Sequence, residues 1–126
     1  LDEYTNEIIE KFNVKTTGVS ALASSLSGGN LQKFVVGREI GQKPSLFIVN
    51  QPTWGVDALS AANIRQAIVD IANTGAAIIL ISQDLDEILE ISNKVAFLTN
   101  GNLSIPTNAT DIKADEIGAI MGGISD

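Results

Sequence analysis

Apolar residues recur at helical spacing from the start of the chain. Leu1, Tyr4, Ile8 and Phe12 share a stripe, with Glu3, Glu7 and Glu10 off it. That period predicts an amphipathic helix over residues 2–12. Residues 13–25 are Thr, Ser and small side chains without a strong period, and read as a loop. A second helix is expected from near Ser27 to near Gly41. Leu31, Phe34 and Val35 give its apolar positions, Ser27 is a natural N-cap, and Gly41 followed by Pro44 is a stop. The pattern then changes from stripes to runs. Leu46-Phe47-Ile48-Val49 lies between Pro44 and Pro52, and Ala77-Ile78-Ile79-Leu80-Ile81 follows a helical stretch from Ala58 to Asn73 that ends just before Gly75. Unbroken apolar runs of this length fit strands buried on both faces. Beyond them the chain predicts a short helix from Asp84 to Glu90 and a third strand, Val95-Ala96-Phe97-Leu98. A tight turn at Asn100-Gly101 leads into a fourth strand near Leu103-Ser104-Ile105, and a terminal helix runs from Ile112 to Met121. Strands alternating with helices place the chain in the α/β class, with a parallel sheet and right-handed crossovers.

Composition narrows the chemistry. The 126 residues suffice for one domain or part of one, and 44% hydrophobic against 18% charged residues gives it a real core. A formal charge of -7 argues against non-specific binding to nucleic acid or anionic lipid. There is no cysteine and no histidine. Disulfides, Cys- or His-ligated zinc, Ser-His-Asp triads and imidazole bases are thereby excluded. No apolar run approaches the ~20 residues of a membrane-spanning helix. The first residues, Leu1-Asp2-Glu3, are acidic, begin without Met and read as part of a helix, so the chain is expected to be a piece of something longer.

Three segments carry candidate chemistry. Leu26-Ser27-Gly28-Gly29-Asn30-Leu31-Gln32-Lys33 opens a helix with two glycines. Exposed backbone N–H groups, a hydroxyl and the positive end of the helix dipole make an anion site suited to a terminal phosphate. By itself, an ordinary capped helix explains it better, because Ser-Gly-Gly is common. Asn50-Gln51-Pro52-Thr53, then Trp54-Gly55-Val56-Asp57, follows the first buried strand, and Ser82-Gln83-Asp84 follows the second. Carboxyl ends of strands are where open α/β sheets bind ligands, although polar strand ends and N-caps look the same. In order and spacing, these segments together resemble the ATPase subunits of ABC transporters over essentially the whole chain. Leu26–Lys33 resembles their signature motif, Phe47–Thr53 their Walker B strand, Gly55-Val56-Asp57 their D-loop and Ser82-Gln83-Asp84 their switch segment. The wording of these segments, with the closing Glu116-Ile117-Gly118 and Met121-Gly122-Gly123, is most similar to bacterial importers of simple sugars or nucleosides, in which one polypeptide carries two ATPase domains. The resemblance implies the C-terminal part of the second domain. Residues 1–44 would belong to its helical, signature-bearing part and 45–126 to its core, a partial P-loop NTPase fold lacking the Walker A strand.

The resemblance also implies site residues. Ser27, Gly28, Gly29 and Asn30 would touch the γ-phosphate of ATP held by an opposing ATPase domain, with Asp57 in the D-loop. Asn50 stands at the Mg position, Gln51 at that of the general base and Gln83 at that of the switch histidine. Amides replace the family's ionisable groups at all three: Asn50 brings no charge to Mg²⁺, and Gln51 cannot accept a proton. No Gly-Lys dipeptide occurs, so the loop that cradles the β- and γ-phosphates is missing. ATP and Mg are therefore expected only in the assembled full-length protein, and no metal is expected on this chain's own ligands. The implied partners are a second ATPase domain, membrane permease subunits and, indirectly, a substrate-binding lipoprotein. The implied location is peripheral, on the cytoplasmic face of the inner membrane. The competing reading is a catalytically silent regulatory or interaction module that keeps the fold. A receiver-like regulator is a weaker third, since Asn50 stands where a phospho-accepting Asp would be needed. In the family's fold the strand leading into Walker A lies between those near Ile78–Ile81 and Val95–Leu98. Without it those two are expected to pair directly or to exchange with a second copy. Of the remaining residues, Trp54 fits simple packing better than an interface role. Asp84, Asp86, Glu87 and Glu90 read as a solvated first turn and not as a metal site.

Overall fold

The computed structural model describes residues 2–21 and 26–112, and the chain divides into two units, residues 1–83 and 84–126. In the first unit, α1 (Asp2–Lys11) leads to α2 (Gly28–Gly41), β1 (Leu46–Asn50), α3 (Ala58–Asn73) and β2 (Ala77–Ile81). Each helix beyond the first starts where a short polar side chain satisfies an orphan N–H. Ser27 Oγ accepts from the Asn30 N–H, and Asp57 Oδ1 accepts from the Ser60 N–H at 2.8 Å. α2 ends at Gly41, and the left-handed residue after it is Lys43 (φ 52), just before Pro44. α1 packs on α2 through glycine. A methyl group on Gly37 would sit 2.7 Å from Ile8 and Phe12, and one on Gly41 would meet the Tyr4 ring. The Tyr4 hydroxyl donates to the Arg38 carbonyl across the same seam (2.7 Å).

β1 and β2 pair in parallel, Leu46 opposite Ala77 through Asn50 opposite Ile81, joined by the α3 crossover. Their burial departs from expectation. Phe47 and Val49 are buried, on a core that includes Ala61, Ile64, Ala67 and Ile68 of α3, but Leu46, Ile48, Ile79 and Ile81 are each at least half exposed. The strands are therefore covered on one face. An unbroken apolar run records that both faces are apolar, not that both are covered.

The second unit comprises α4 (Leu85–Ile91), capped by Asp84, then β3 (Lys94–Val95), β4 (Leu98–Thr99), β5 (Asn102–Leu103), β6 (Thr107–Asn108) and a 3₁₀ turn, Ala109–Asp111. The expected third strand, Val95–Leu98, is split. Lys94–Val95 pairs antiparallel with Thr107–Asn108, and Leu98–Thr99 with Asn102–Leu103. The expected turn is present: Asn100 (φ 51) and Gly101 (φ 79) are both left-handed, the geometry that joins twisted strands in two residues. The fourth strand begins one residue early. Among the described residues β3 pairs with β6 and β2 with β1, and the expected pairing of the second and third strands is not present. Val95 and Phe97 form a small core with Leu85, Ile88, Leu89, Ala109 and Ile112. Glu87, read from sequence as solvated, is buried. The terminal helix expected to Met121 lies outside the described residues beyond Ile112.

Candidate functional site

The capped start of α2 is the first part of the site. Ser27 is extended (φ -64, ψ 160), and its Oγ accepts from the Asn30 backbone N–H (3.2 Å) and from Asn30 Nδ2 (2.8 Å). The Gly28 and Gly29 N–H groups have no hydrogen-bond partner among the described residues. These two glycines have different surroundings. Among the described residues a methyl group on Gly28 would meet nothing within 4 Å, whereas one on Gly29 would lie 2.6 Å from the Gly55 carbonyl oxygen. Gly28 therefore offers open backbone toward which an anion can move, and Gly29 allows α2 to seat against the turn before α3.

That turn is locked to α2 by charge. Lys33 is buried, and its ammonium reaches Asp57 Oδ2 (2.9 Å), the Asn13 carbonyl (3.1 Å) and Asn30 Oδ1 (3.5 Å). Asp57 also accepts from the Ser60 N–H (2.8 Å) and the Ser60 hydroxyl (2.9 Å). The Ser60 N–H bond first, then the Lys33 ammonium, then the Ser60 hydroxyl hold the Asp57 carboxyl well below the usual carboxylate range, against a small opposing effect of desolvation. Trp54, expected to be packed, is 73% exposed on this turn.

The amides form the second part. Gln51 is left-handed (φ 52), a conformation that costs a non-glycine residue about 1–3 kcal/mol and persists only where neighbours over-determine it. Here they do. Its N–H donates to the Ile81 carbonyl (2.8 Å), and its carbonyl accepts from Gln32 Nε2 (3.0 Å) and the Trp54 N–H (3.2 Å). Its side-chain Oε1 accepts from the Gln83 N–H (3.3 Å), bridging the ends of β1 and β2. Asn50 is exposed on the last rung, opposite Ile81. The structure thus brings Ser27, Asn30 and Asp57 into one network through Lys33, and Gln51 and Gln83 into another that Gln32 joins to α2. Sequence reasoning did not assign Lys33 and Gln32. Lys33 had a readable signal: it shares the helical spacing of Val36, Gly37 and Ile40, a charge set in an apolar stripe.

The strand-end amides offer little to a metal. Asn50 and Gln51 carry no carboxylate, one of the two side-chain oxygens is engaged by Gln83, and no group of three His, Cys, Asp or Glu converges among the described residues.

No family model matches the chain. Among solved structures, an ATP-binding subunit of an ABC transporter superposes with a TM-score of 0.76 at 20% identity, over 97% of this chain and 48% of that one. A dimeric ATP-binding cassette bound to ADP and Pi gives 0.73 at 18%, over 85% and 46%. The fold is accordingly part of an ABC ATPase domain. In sequence, the chain is 38% identical over 128 residues to the glucose import ATP-binding protein TsgD13 of Haloferax volcanii. It is 36% identical over 123 residues to the nucleoside import ATP-binding protein NupA of Lactococcus lactis subsp. cremoris. The chain is related to the ATP-binding proteins of ABC importers. All of it is covered in the first match and 98% in the second, but it spans only 23% and 24% of those importer proteins. In this chain, the segments resembling the importers' signature and D-loop touch each other through Gly29–Gly55 and Lys33–Asp57. Among the described residues no helix is long and apolar enough to cross a membrane.

Proposed function

We propose that the chain is part of the ATP-binding, energy-coupling component of an ABC importer for a simple sugar or nucleoside. In this reading Ser27, Gly28, Gly29 and Asn30 close over the γ-phosphate of ATP whose phosphate-cradling loop belongs to a partner ATPase domain. The observation that carries it is the open Gly28 backbone at a capped, anion-ready helix start, in a chain without a Gly-Lys loop. ATP and its Mg²⁺ would be held chiefly by the partner. On this side Ser27 would donate its hydroxyl proton, Gly28 and Gly29 their N–H groups, and Asp57 would keep the D-loop turn in place. The complete protein would work on the cytoplasmic face of the membrane with permease subunits, supplied by a substrate-binding lipoprotein.

A second feature favours a silent hydrolysis site on this domain's own side. Gln51 has no carboxylate to accept a proton, and its amide oxygen already accepts the Gln83 N–H, so it serves as a brace between strand ends. The two composite sites should then respond differently. In the complete protein, assayed with its permease, Gly28→Asp places a repelling charge where the phosphate approaches and should lower ATP turnover about 100-fold or more. Gln51→Ala should cost much less. Abolished turnover in Gln51→Ala alongside near wild-type Gly28→Asp would reverse the assignment.

A further inference from the structure

Lys33 is 4% exposed, and beyond holding Asp57 its charge has no part yet assigned toward the phosphate. A compact ammonium has three N–H donors, and three acceptors surround this one: Asp57 Oδ2, the Asn13 carbonyl and Asn30 Oδ1. The contact to Asn30 is the longest, and its weight is electrostatic: a full positive charge beside an amide oxygen. That same oxygen accepts the Lys15 N–H at 2.8 Å. Two N–H donors on Oδ1, the Lys15 backbone amide and the Lys33 ammonium, decide which end of the amide faces inward, so Nδ2 is turned to Ser27 Oγ. The Asn30 backbone N–H reaches that same oxygen. A hydroxyl has two lone pairs and one proton. Both lone pairs of Ser27 are filled, and only its proton remains to be given.

We infer that Lys33 is a positioning residue for the anion site: by holding the Asn30 amide, it makes the Ser27 hydroxyl an obligate donor, matched to a fully ionised phosphate oxygen. The inference rests on the reading of Ser27–Asn30 as a γ-phosphate site. Lysine suits the place, because arginine's planar five-donor fork would leave N–H groups unpaired among three acceptors.

The test uses the complete ATP-binding protein with its permease, with turnover expressed per folded molecule. Ser27→Ala and Lys33→Met are measured singly and together. Lys33→Met should lower kcat about 10-fold, the worth of one hydrogen bond to a charged group. Its KM for ATP should stay within about 2-fold, because the nucleotide is held by the opposing domain. In the Ser27→Ala background it should have no further effect, which a merely structural role would not produce. If Ser27→Ala lowers kcat but Lys33→Met does not, or if the two losses multiply, Lys33 does not act through the hydroxyl and the inference is overturned while the site stands. If Ser27→Ala leaves turnover unchanged, the reading of the site fails and takes this inference with it. Should Lys33→Met not fold, Lys33→Gln enters the same cycle with the same expectations.

Discussion

Two adjacent glycines at the start of α2 do different work, and substitution should separate them. Gly28 faces open space, so Gly28→Ala meets no steric cost and removes freedom from the unfolded chain. It should leave stability unchanged or raise it by about 0.4–1 kcal/mol. Gly29 faces the Gly55 carbonyl oxygen, which cannot turn away as a side chain can. A methyl group there must push α2 off the turn before α3, and overpacking of that kind costs about 1–3 kcal/mol. Urea unfolding of the two variants beside the wild type checks this, and equal midpoints for both variants would refute the division. If the ligand approaches Gly28, the position harmless to stability is the one where a charged side chain damages turnover. The sequence presents the two residues as an equivalent pair, because only the packed turn distinguishes them.

At the scale of elements, α3 is held at its start by a titrating cap. Asp57 has its folded pKa depressed by the Ser60 N–H, the Lys33 ammonium and the Ser60 hydroxyl. Unfolded, it returns to about 3.9. Between the two values the unfolded chain binds the extra proton, so stability rises with pH across that window. The contribution is complete above the unfolded pKa and is lost as pH falls below about 4 toward the folded value. Asp57→Asn keeps a cap acceptor but cannot titrate, and it leaves the Lys33 charge uncompensated. Its stability should be lower at neutral pH, and the gap to wild type should narrow as the pH falls from about 5 to 2. Thermal or urea unfolding at several pH values reads that gap, and a constant gap would count against the cap's role. Cap, helix and strand-end turn were legible where they are written in adjacent residues, Ser27 before Gly28-Gly29 and Asn100-Gly101 between two strands, whereas the capping role of Asp57 was not read. What else was not legible depended on partners distant in sequence. The two-sided burial of Leu46–Val49 needed a covering layer. The single strand at Val95–Leu98 needed a neighbour that Thr107 and Asn102 replaced, and Glu87 went inside although it is acidic. Lys33 lay in an apolar stripe, but its meaning required Asp57, 24 positions later, to be placed beside it.

At the scale of the whole chain, the proposed function puts the phosphate-cradling half of the site on other polypeptide, and the β1–β2 sheet carries an exposed apolar face. Leu46, Ile48, Ile79 and Ile81 present half or more of their surface to water, while solved ABC ATPase chains that match 97% of this one are about twice its length. Nucleotide binding should follow that division. The described residues offer a helix start with two N–H groups that have no partner among them and one hydroxyl, and amides at Asn50 and Gln51 in place of carboxylates. An exposed helix terminus contributes roughly 0.3–1 kcal/mol toward a charge. Micromolar affinity requires about 8 kcal/mol. Even with the Ser27 hydroxyl and a further hydrogen bond at about 1 kcal/mol each, the total falls several kcal/mol short. The chain by itself should therefore neither hydrolyse Mg-ATP nor bind it tightly. Titration calorimetry with the purified chain should give no saturable heat at micromolar nucleotide, and a phosphate-release assay should stay at background. Low-micromolar binding would mean that a phosphate cradle exists among residues to which none is assigned, and the division of the site between two polypeptide segments would have to be abandoned.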